Sequence, residues 1–208
     1  EHQKEKDNNR VSRNKRGIKK GKKVLKKSPI QEVIVGPSES MSKSKKNTID
    51  PEKIIEMYGA DSARLFILSD SPPEKDVQWS DEGIASSYKF IQKLWSLNDR
   101  IIKEIEHNHP EDEGEEIIKF TNKFLKKMTD SLNSFSYNIL VANLHEMQNF
   151  FSKELNKKYS KKTLIENFSK ILITMIPLIP HFASECLEKI NCDVLKWPNY
   201  DKKLLIED

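Results

Sequence analysis

Apolar residues recur with helical spacing from about residue 50 to the end of the chain, and this pattern predicts a mainly α-helical protein. The longest helix is predicted to begin at Ser80 or Asp81, because either side chain can cap a helix. Its apolar positions keep a spacing of three and four residues; they are Ile84, Tyr88, Ile91, Leu94, Trp95, Ile101, Ile102 and Ile105.

Two short helices are predicted immediately before this long one. Asp50 can cap the first of them, Pro51 suits its first position, and Gly59 is a typical helix end. Asp61 is predicted to cap the second, which covers residues 62–68. A proline pair then breaks the chain before the long helix.

Three further helices are predicted over residues 115–132, 137–156 and 161–190. Pro177 and Pro180 interrupt the last of these, so a kink or break is expected there. Together with the long helix they suit an antiparallel helical bundle. The apolar residues of the tail are expected to pack across the end of this bundle; they are Val194, Leu195, Trp197 and Pro198.

The first part of the chain follows no helical pattern. Residues 1–30 show neither a helical nor a strand period, and they are expected to form a basic, flexible segment. The β-branched run at 31–36 predicts a short strand, and the Ser- and Lys-rich stretch at 38–47 predicts a loop. We therefore expect residues 31–80 to hold the strand, the loop and a small α-rich region, and residues 81–208 to form the bundle.

The composition agrees with a helical protein and is uneven in charge. The chain has only 6 Gly and 9 Pro, with 36% hydrophobic and 33% charged residues. Residues 1–30 hold 12 Lys and Arg against 3 Asp and Glu, whereas the remainder holds 24 against 29. Such a basic run is typical of a protein that binds a polyanion, and equally of a solvated, disordered tail.

Cysteine usage and hydropathy predict a reduced, cytoplasmic protein that is not inserted in a membrane. Cys186 and Cys192 do not have the spacing of a CxxC site, so we expect two reduced thiols and no protein-bound metal. The longest apolar run, at residues 171–179, is about half of the ~20 residues that a membrane span needs. The N-terminus lacks the apolar stretch of a signal peptide. Because the first residue is Glu1, we expect the chain to begin within a longer protein.

The Ser- and Lys-rich loop is the segment most suited to chemistry. It places the ammonium groups of Lys43, Lys45 and Lys46 among serine hydroxyls, between a predicted strand and a predicted helix. Lysines and hydroxyls in such a loop can neutralise a polyphosphate, and they are catalytic if the charge they meet develops in a transition state. An ordinary Ser/Lys linker would have the same composition, which therefore does not decide between the two.

The order of motifs resembles one enzyme family. SMSKSKKN followed by TIDPEKIIEMYGADSARLFIL is similar to the KMSKS signature of class I aminoacyl-tRNA synthetases. SPPEKDVQWSDEG, at residues 71–83, resembles leucyl-tRNA synthetases, whereas the isoleucine and valine relatives normally lack this segment. IPLIPHFASE at 176–185 and KWP at 196–198 resemble the family's helical bundle. The resemblance covers about residues 31–200. It implies that residues 31–80 are the end of a catalytic domain with a stem-contact-like region, and that residues 81–208 are an anticodon-binding-type helical bundle.

This resemblance implies a leucine–tRNA ligase, which activates leucine with Mg-ATP and transfers it to tRNA(Leu). Lys43 matches the motif lysine that contacts the ATP phosphates and stabilises the leaving pyrophosphate, so it is the predicted catalytic residue. Ser42 and Ser44 match the loop serines and Met41 the apolar residue that seats the loop, and these three are predicted to help bind ATP. Ser40 stands where the family has its first motif lysine.

The same resemblance assigns supporting roles. Asn47 and the Asp50-Pro51 pair match the hinge and the cap that anchor the loop, and Lys45 or Lys46 can compensate for the missing first lysine. The sequence has no HIGH-like motif, so leucine is expected to bind only through regions absent from this chain, which alone should not aminoacylate. We expect a monomer. Two alternatives stay open: a non-catalytic tRNA-binding module derived from such an enzyme, and a synthetase for isoleucine, valine or methionine.

Three further residues can each have a structural or a functional role. Trp79 can mark a contact region below the active site or anchor the long helix, and we assign it the structural role. Arg64 can touch tRNA, brace the loop or form an ion pair on a helix surface. His181 lies at a predicted helix start, which favours capping over metal binding. The aromatic residues at helical spacing are expected in the core; they are Tyr88, Trp95, Phe124, Phe150 and Phe151.

Overall fold

The computed structural model describes residues 15–19, 22–26, 39–70, 75–110, 112, 114–193 and 196–205. The chain divides into two compact units, Glu1–Ser40 and Met41–Asp208. The strand predicted at residues 31–36 lies outside the described residues.

In the first unit, a β-hairpin occupies part of the basic segment. Strand β1 (Lys15–Lys19) pairs antiparallel with β2 (Lys22–Lys26), in a register that places Gly17 opposite Val24. The expectation that residues 1–30 have no regular structure is therefore wrong for these ten residues. Five of the ten are lysines, so the strands lack the alternation of apolar and polar residues by which a sequence reveals a strand.

The second unit is helical, which confirms the predicted fold class. Seven α-helices lie in its described residues, followed by a 3₁₀ turn at Lys202–Leu205. They are α1 (Pro51–Tyr58), α2 (Ala60–Asp70), α3 (Asp81–His107), α4 (Glu115–Asn133), α5 (Tyr137–Glu154), α6 (Lys161–Met175) and α7 (Pro180–Lys189).

Most helix ends agree with the local signals in the sequence. Asp50 caps α1 by accepting from the N–H of Glu52, and Ser80 caps α3 by accepting from the N–H of Gly83. The predicted break between the two prolines is confirmed, because α6 ends at Met175 and α7 begins at Pro180.

Helices α3 to α6 form the bundle. Helices α3 and α4 each pack against both α5 and α6, which places them across the bundle from one another. The core between them is fully closed to solvent at residues from all four helices; examples are Ile84, Ile101, Met128, Leu144, Phe151 and Ile171. Each such side chain stabilises the fold by about 1.5–3 kcal/mol through burial.

The aromatic residues predicted for the core divide into two groups. Phe124 and Phe151 are buried, and Trp95 and Phe150 are half-buried against the same core. Tyr88 is 38% exposed, so its assignment to the core is wrong. It packs edge-on to Tyr58 of α1, with ring centroids 5.9 Å apart.

The described part of the tail, residues 196–205, lies along α4. Trp197 donates its Nε1 proton to Thr129 Oγ1 at 3.0 Å, and the backbone N–H of Asp201 donates to Asn122 Oδ1 at 2.7 Å. Thr129 and Asn122 are about 10 Å apart along the helix axis. This part of the tail therefore runs along the side of α4, and the expectation that it crosses the bundle end is wrong. The residues at 194 and 195, named with it, lie outside the described residues.

Gly83 leaves room for the close approach of α2 to α3. A β-carbon at Gly83 would lie 2.5 Å from Phe66 Cε2 and 3.0 Å from Phe66 Cδ2. We therefore expect Gly83→Ala to lower the free energy of unfolding by about 1–2 kcal/mol, although alanine is the better helix former. Urea denaturation followed by circular dichroism measures this change.

A second variant tests the cause of that loss. Because Phe66 is the clashing group, combining Gly83→Ala with Phe66→Leu should cost less than the sum of the two single losses. A Gly83→Ala protein more stable than the wild type would contradict the steric explanation.

Candidate functional site

The motif loop, residues 41–47, is a compact turn held together by its own polar groups. The backbone N–H of Ser42 donates to Asn47 Oδ1 at 2.8 Å, which closes the loop across five residues. The hydroxyls of Ser42 and Ser44 are 3.1 Å apart, and the N–H of Lys45 donates to the Ser42 carbonyl at 3.2 Å. The shape of the turn is therefore set by hydrogen bonds among its own residues.

Lys43 occupies the second position of this turn, and its side chain is exposed. The N–H of Lys46 donates to the carbonyl of Lys43 at 3.2 Å, and Lys46 has a φ of 53°. Among the residues that the structure describes, Lys43 forms no ion pair. Its ammonium group is thus presented to solvent on a turn whose backbone is fixed, an arrangement that suits an anionic ligand.

The other motif residues are also accessible. Met41 is 47% exposed, so the described residues cover only about half of its side chain. Ser40 is exposed and is the last residue of the first unit, whereas Met41 begins the second. The ATP-binding roles of Met41, Ser42, Lys43 and Ser44 stay predictions.

Helix α1 connects the motif loop to the rest of the second unit. Asp50 Oδ1 accepts from the N–H of Glu52 at 3.1 Å, and the helix ends at Gly59, whose φ of 81° favours glycine. None of its residues is buried: Ile55 is 48% exposed and Met57 64% exposed. Because α1 itself buries so little, the loop is linked to the bundle mainly through α2.

Asp61 of α2 binds the first turn of α7, 120 residues later in the chain. Its Oδ2 accepts from the buried N–H of Phe182 at 2.7 Å, and its Oδ1 accepts from the N–H of His181 at 3.3 Å. Oδ1 also lies 2.9 Å from His181 Nδ1. Asp61 is only 8% exposed, so its carboxylate acts as the N-terminal cap of α7.

Arg64, one turn after Asp61, binds the chain just before α7. Its Nε donates to the carbonyl of Leu178 at 3.1 Å, and its Nη2 donates to the carbonyl of Pro177 at 2.8 Å. We call Asp61 and Arg64 together the α2 clasp. The clasp thus binds the segment between α6 and α7 at two points. Arg64 donates to carbonyl groups before α7, and Asp61 accepts from N–H groups in its first turn.

The clasp corrects three sequence expectations. Asp61 does not cap its own helix, because α2 already begins at Ala60. Arg64 binds carbonyl groups and no carboxylate among the described residues, so the expected surface ion pair is wrong, while a contact with tRNA or a brace for the loop stays a prediction. His181 is the capped residue, not a cap. A signal for this was present: the residue before Pro180 is Ile179, which has no side-chain acceptor, so α7 needs one from elsewhere.

Trp79 has the structural role assigned to it. Its ring packs edge-on to Phe66 of α2 with centroids 5.3 Å apart, and its Nε1 donates to Asp81 Oδ1 at 2.8 Å. It therefore fixes the start of α3 against α2.

The described residues contain no cluster suited to a metal, and the buried one of their two thiols is hard to deprotonate. They contain no cluster of three or more His, Cys, Asp or Glu side chains arranged to hold a metal ion. Cys186 and Cys192 are not joined in a disulfide, and burial raises the pKa of the Cys186 thiol to about 12. In the same part of the chain, no helix is both long and apolar enough to span a bilayer.

Comparisons with known proteins agree with this arrangement of loop and bundle. The family described as "tRNA synthetases class I (I, L, M and V)" matches residues 18–80. The family described as "Anticodon-binding domain of tRNA ligase" matches residues 114–208.

Curated relatives and a solved structure extend these matches. The leucine–tRNA ligase of Fusobacterium nucleatum is 36% identical over 186 residues, covering 82% of this chain and 22% of that protein. That of Bartonella quintana is 38% identical over 191 residues, covering 85% of this chain and 22% of that protein. A LeuRS of Agrobacterium radiobacter K84, solved in a ternary complex with tRNA and LeuAMS, has the same fold. The TM-score is 0.69 at 21% sequence identity, and the match covers 80% of this chain and 23% of that one.

The chain thus spans about a fifth of the length of the relatives that it matches. Its two family matches have the same order along the chain as the motif loop and the bundle. With leucine–tRNA ligases similar to it over more than four fifths of its length, the chain belongs to the leucine–tRNA ligase family of class I tRNA synthetases.

Proposed function

We propose that this chain supplies the phosphate-binding loop and the tRNA-binding bundle of a leucine–tRNA ligase. The observation that carries the proposal is the exposed ammonium group of Lys43 on a turn closed by Asn47, ahead of a bundle of the anticodon-binding type. The substrates are leucine, ATP with Mg, and tRNA(Leu). Leucine is bound by parts of the enzyme that this chain does not span.

The first reaction step explains why a lysine is needed. A carboxylate oxygen of leucine attacks the α-phosphorus of ATP and forms leucyl-adenylate. The bond between the α-phosphorus and the bridging oxygen breaks, and its electron pair leaves with pyrophosphate. Negative charge therefore grows on the leaving group, and Lys43 neutralises it with its ammonium group while Ser42 and Ser44 donate hydroxyl protons.

The second step uses the bundle. A hydroxyl of the terminal ribose of tRNA attacks the leucyl carbonyl and forms the ester bond. The bond between the carbonyl carbon and the phosphate oxygen breaks, AMP leaves with its electron pair, and the hydroxyl proton is released. The bundle binds the tRNA so that this hydroxyl reaches the adenylate. The α2 clasp supports both steps, because it ties the helices after the motif loop to the turn between α6 and α7.

The protein acts as a monomer in the cytoplasm. Free cysteines agree with a reducing compartment. The two alternatives make different predictions. A synthetase for isoleucine, valine or methionine would prefer its own tRNA, and a derived binding module would bind RNA but support no ATP–pyrophosphate exchange.

Binding of the chain to four tRNA transcripts tests the proposal. Filter binding at one fixed salt concentration should show tRNA(Leu) bound about fivefold or more tighter than the transcripts for isoleucine, valine and methionine, a difference of about 1 kcal/mol. Preference for one of the other three would favour that synthetase, and equal binding of all four would contradict the proposal.

A further inference from the structure

Four basic residues of α3 lie on one face of the helix. Lys89, Lys93, Arg100 and Lys103 succeed each other at intervals of four, seven and three residues, which keeps them within a sector of about 80°. They extend over about 21 Å of the helix axis. We call these four residues the α3 stripe.

The lysines of the stripe are not neutralised by neighbours. Within the described residues, Lys89, Lys93 and Lys103 form no ion pair. Lysines on the other helices commonly do: Lys119 pairs with Glu115 at 2.7 Å and Lys162 pairs with Glu166 at 3.9 Å. The positive charge of the stripe therefore remains available to a ligand.

The carboxylates of α3 do not cancel this charge. Glu104, next to Lys103, faces His109, with Glu104 Oε2 3.3 Å from His109 Nε2. Lys89 and Arg100 lie at the centre of the stripe, and Asp99 is about 80–100° away from them around the helix axis. Of the four stripe residues, only Lys103 lies closer to Asp99 than this. Within the sector of the stripe α3 has one carboxylate, that of Glu82, about 10 Å before Lys89 along the axis. The face that the stripe occupies therefore has a positive excess.

A polar groove runs between the stripe and α5. Its α3 side includes Lys93 and Arg100 of the stripe, and Arg100 Nη2 lies 3.4 Å from the carbonyl of Ser152 on the other side. The α5 side presents two amides, of Gln148 and Asn149. In the described part of the chain the groove has cations, amides and hydroxyls on its walls and no carboxylate.

The charge of the stripe also reaches α5. His145 of α5 stacks on Phe90 with ring centroids 3.7 Å apart. Burial, and after it the positive charge of Lys93, lowers the pKa of His145. The His145 ring therefore lies close enough to Lys93 to respond to its charge, and it favours the neutral form.

We propose that the α3 stripe and this groove bind the sugar-phosphate backbone of tRNA. This inference rests on the proposed function and assigns the binding surface within the bundle. Lysines contact phosphates as point charges, and amides and hydroxyls donate to phosphate and ribose oxygens, as is usual for contacts that position an RNA. An elongated stripe suits a backbone better than it suits a compact anion.

A triple variant of the full chain tests the surface. Lys89, Lys93 and Lys103 are all exposed on a helix, so replacing them by alanine should leave the fold intact. We expect binding of a tRNA(Leu) transcript to weaken about 10-fold or more near 0.1 M salt. The slope of log K against log salt should become shallower by about 2, since each phosphate contact contributes roughly 0.7–0.9.

A matched variant removes the same charge elsewhere. Lys119, Lys126 and Lys162 each pair with a carboxylate four residues away, and their triple replacement by alanine should change tRNA affinity less than about threefold. Both variants keep the basic segment at residues 1–30, so its contribution cancels in the comparison.

The outcomes separate this inference from the proposed function. If the wild type prefers tRNA(Leu) and only the stripe variant loses affinity, the surface assignment is confirmed. If the wild type prefers tRNA(Leu) but the two variants lose affinity equally, or neither does, the assignment is overturned while the proposed function stands. If the wild type has no preference among tRNAs, the proposed function itself fails.

Discussion

Replacement of Asp61 by alanine is expected to lower the free energy of unfolding by about 2–4 kcal/mol. The carboxylate is 8% exposed and accepts from two N–H groups in the first turn of α7, one of them on the buried Phe182. Alanine would leave both donors without their acceptor. A lost helix cap typically costs about 1 kcal/mol, and a buried donor left unsatisfied adds about 1–3 kcal/mol.

Thermal unfolding followed by circular dichroism measures this loss. For a chain of this size about 1 kcal/mol lowers Tm by roughly 2–4 °C, so the expected drop is about 4–16 °C. Asp61→Asn keeps the shape and one acceptor oxygen and should fall between the wild type and Asp61→Ala. The ring contact with His181 adds little, because the His181 side chain is 75% exposed.

Glu56→Ala is the matched control for this prediction. Glu56 is an exposed carboxylate on α1 that forms no ion pair in the part of the chain that the structure describes, so its removal should change stability by less than about 0.5 kcal/mol. A drop in Tm no larger for Asp61→Ala than for Glu56→Ala would rule out the capping role.

Amide hydrogen exchange should show which helices lose protection in Asp61→Ala. Loss of the clasp frees α2 from the turn at residues 177–182, so amide exchange should speed up in α1 and α2 before it does in α4 and α5. Arg64→Ala should do the same to a smaller extent, and a double-mutant cycle of Asp61 and Arg64 should show coupling, since both hold the same turn. Uniform acceleration throughout the bundle would instead indicate a global loss of stability.

The elements with local signals were the ones that the sequence could predict. Pro51 and Gly59 mark α1, Ser80 marks the start of α3, and the two prolines mark the break between α6 and α7. Each of these signals acts within one helical turn, so a single sequence reveals it. The amphipathic spacing of α3 predicts much of its buried face. Tyr88 was wrongly included, however, and the buried Phe90 and Leu97 were missed.

Interactions between distant segments could not be predicted in the same way. Asp61 and Phe182 are 121 residues apart, and a capping aspartate within the first turn of a helix normally indicates a local cap. Asn98 is fully buried in α3, and neither polar atom of its side-chain amide has a partner among the described residues. A period of apolar residues indicates which face is buried, but it does not indicate which polar residue shares that face.

The candidate site was predictable in one respect and not in another. The resemblance to the family identified Lys43 and Asn47, and the hydrogen bond from the Ser42 N–H to Asn47 agrees with a residue that anchors the loop. The clasp was not predictable, although its residues lie within the motifs YGADSAR and IPLIPH. The two motifs mark the two sides of one contact, which ties the loop segment to the bundle.

Replacement of Lys43 by alanine is expected to lower the rate of leucine-dependent ATP–pyrophosphate exchange about 10²–10³-fold. This is the usual effect of removing one preorganised group that meets charge in a transition state, about 2.7–4 kcal/mol. An active protein is needed for the assay, and the matching fifth of the Fusobacterium nucleatum leucine–tRNA ligase can be replaced by this chain to obtain one. The variant is then compared with that chimera.

The loss should appear in kcat and not in KM for leucine. Lys43 is proposed to meet charge that grows on the leaving pyrophosphate, so its removal raises the barrier without weakening the binding of leucine. The matched control is Lys53→Ala in α1: Lys53 is also exposed, and its 3.8 Å pair with Asp50 is a surface ion pair of small value. Lys53→Ala should change kcat less than about twofold.

The same comparison decides between the ligase and the derived binding module. A module that has lost the chemistry binds tRNA equally well with or without Lys43, and a chimera built on it would show no exchange for Lys43→Ala to reduce. In a ligase, Lys43→Ala should keep tRNA(Leu) affinity within about twofold and lose exchange, because the α3 stripe binds the RNA and the motif loop meets the phosphates. An active chimera with unimpaired exchange in Lys43→Ala would refute the role assigned to this lysine and transfer the charge requirement to Lys45 or Lys46, the other cations of the same turn.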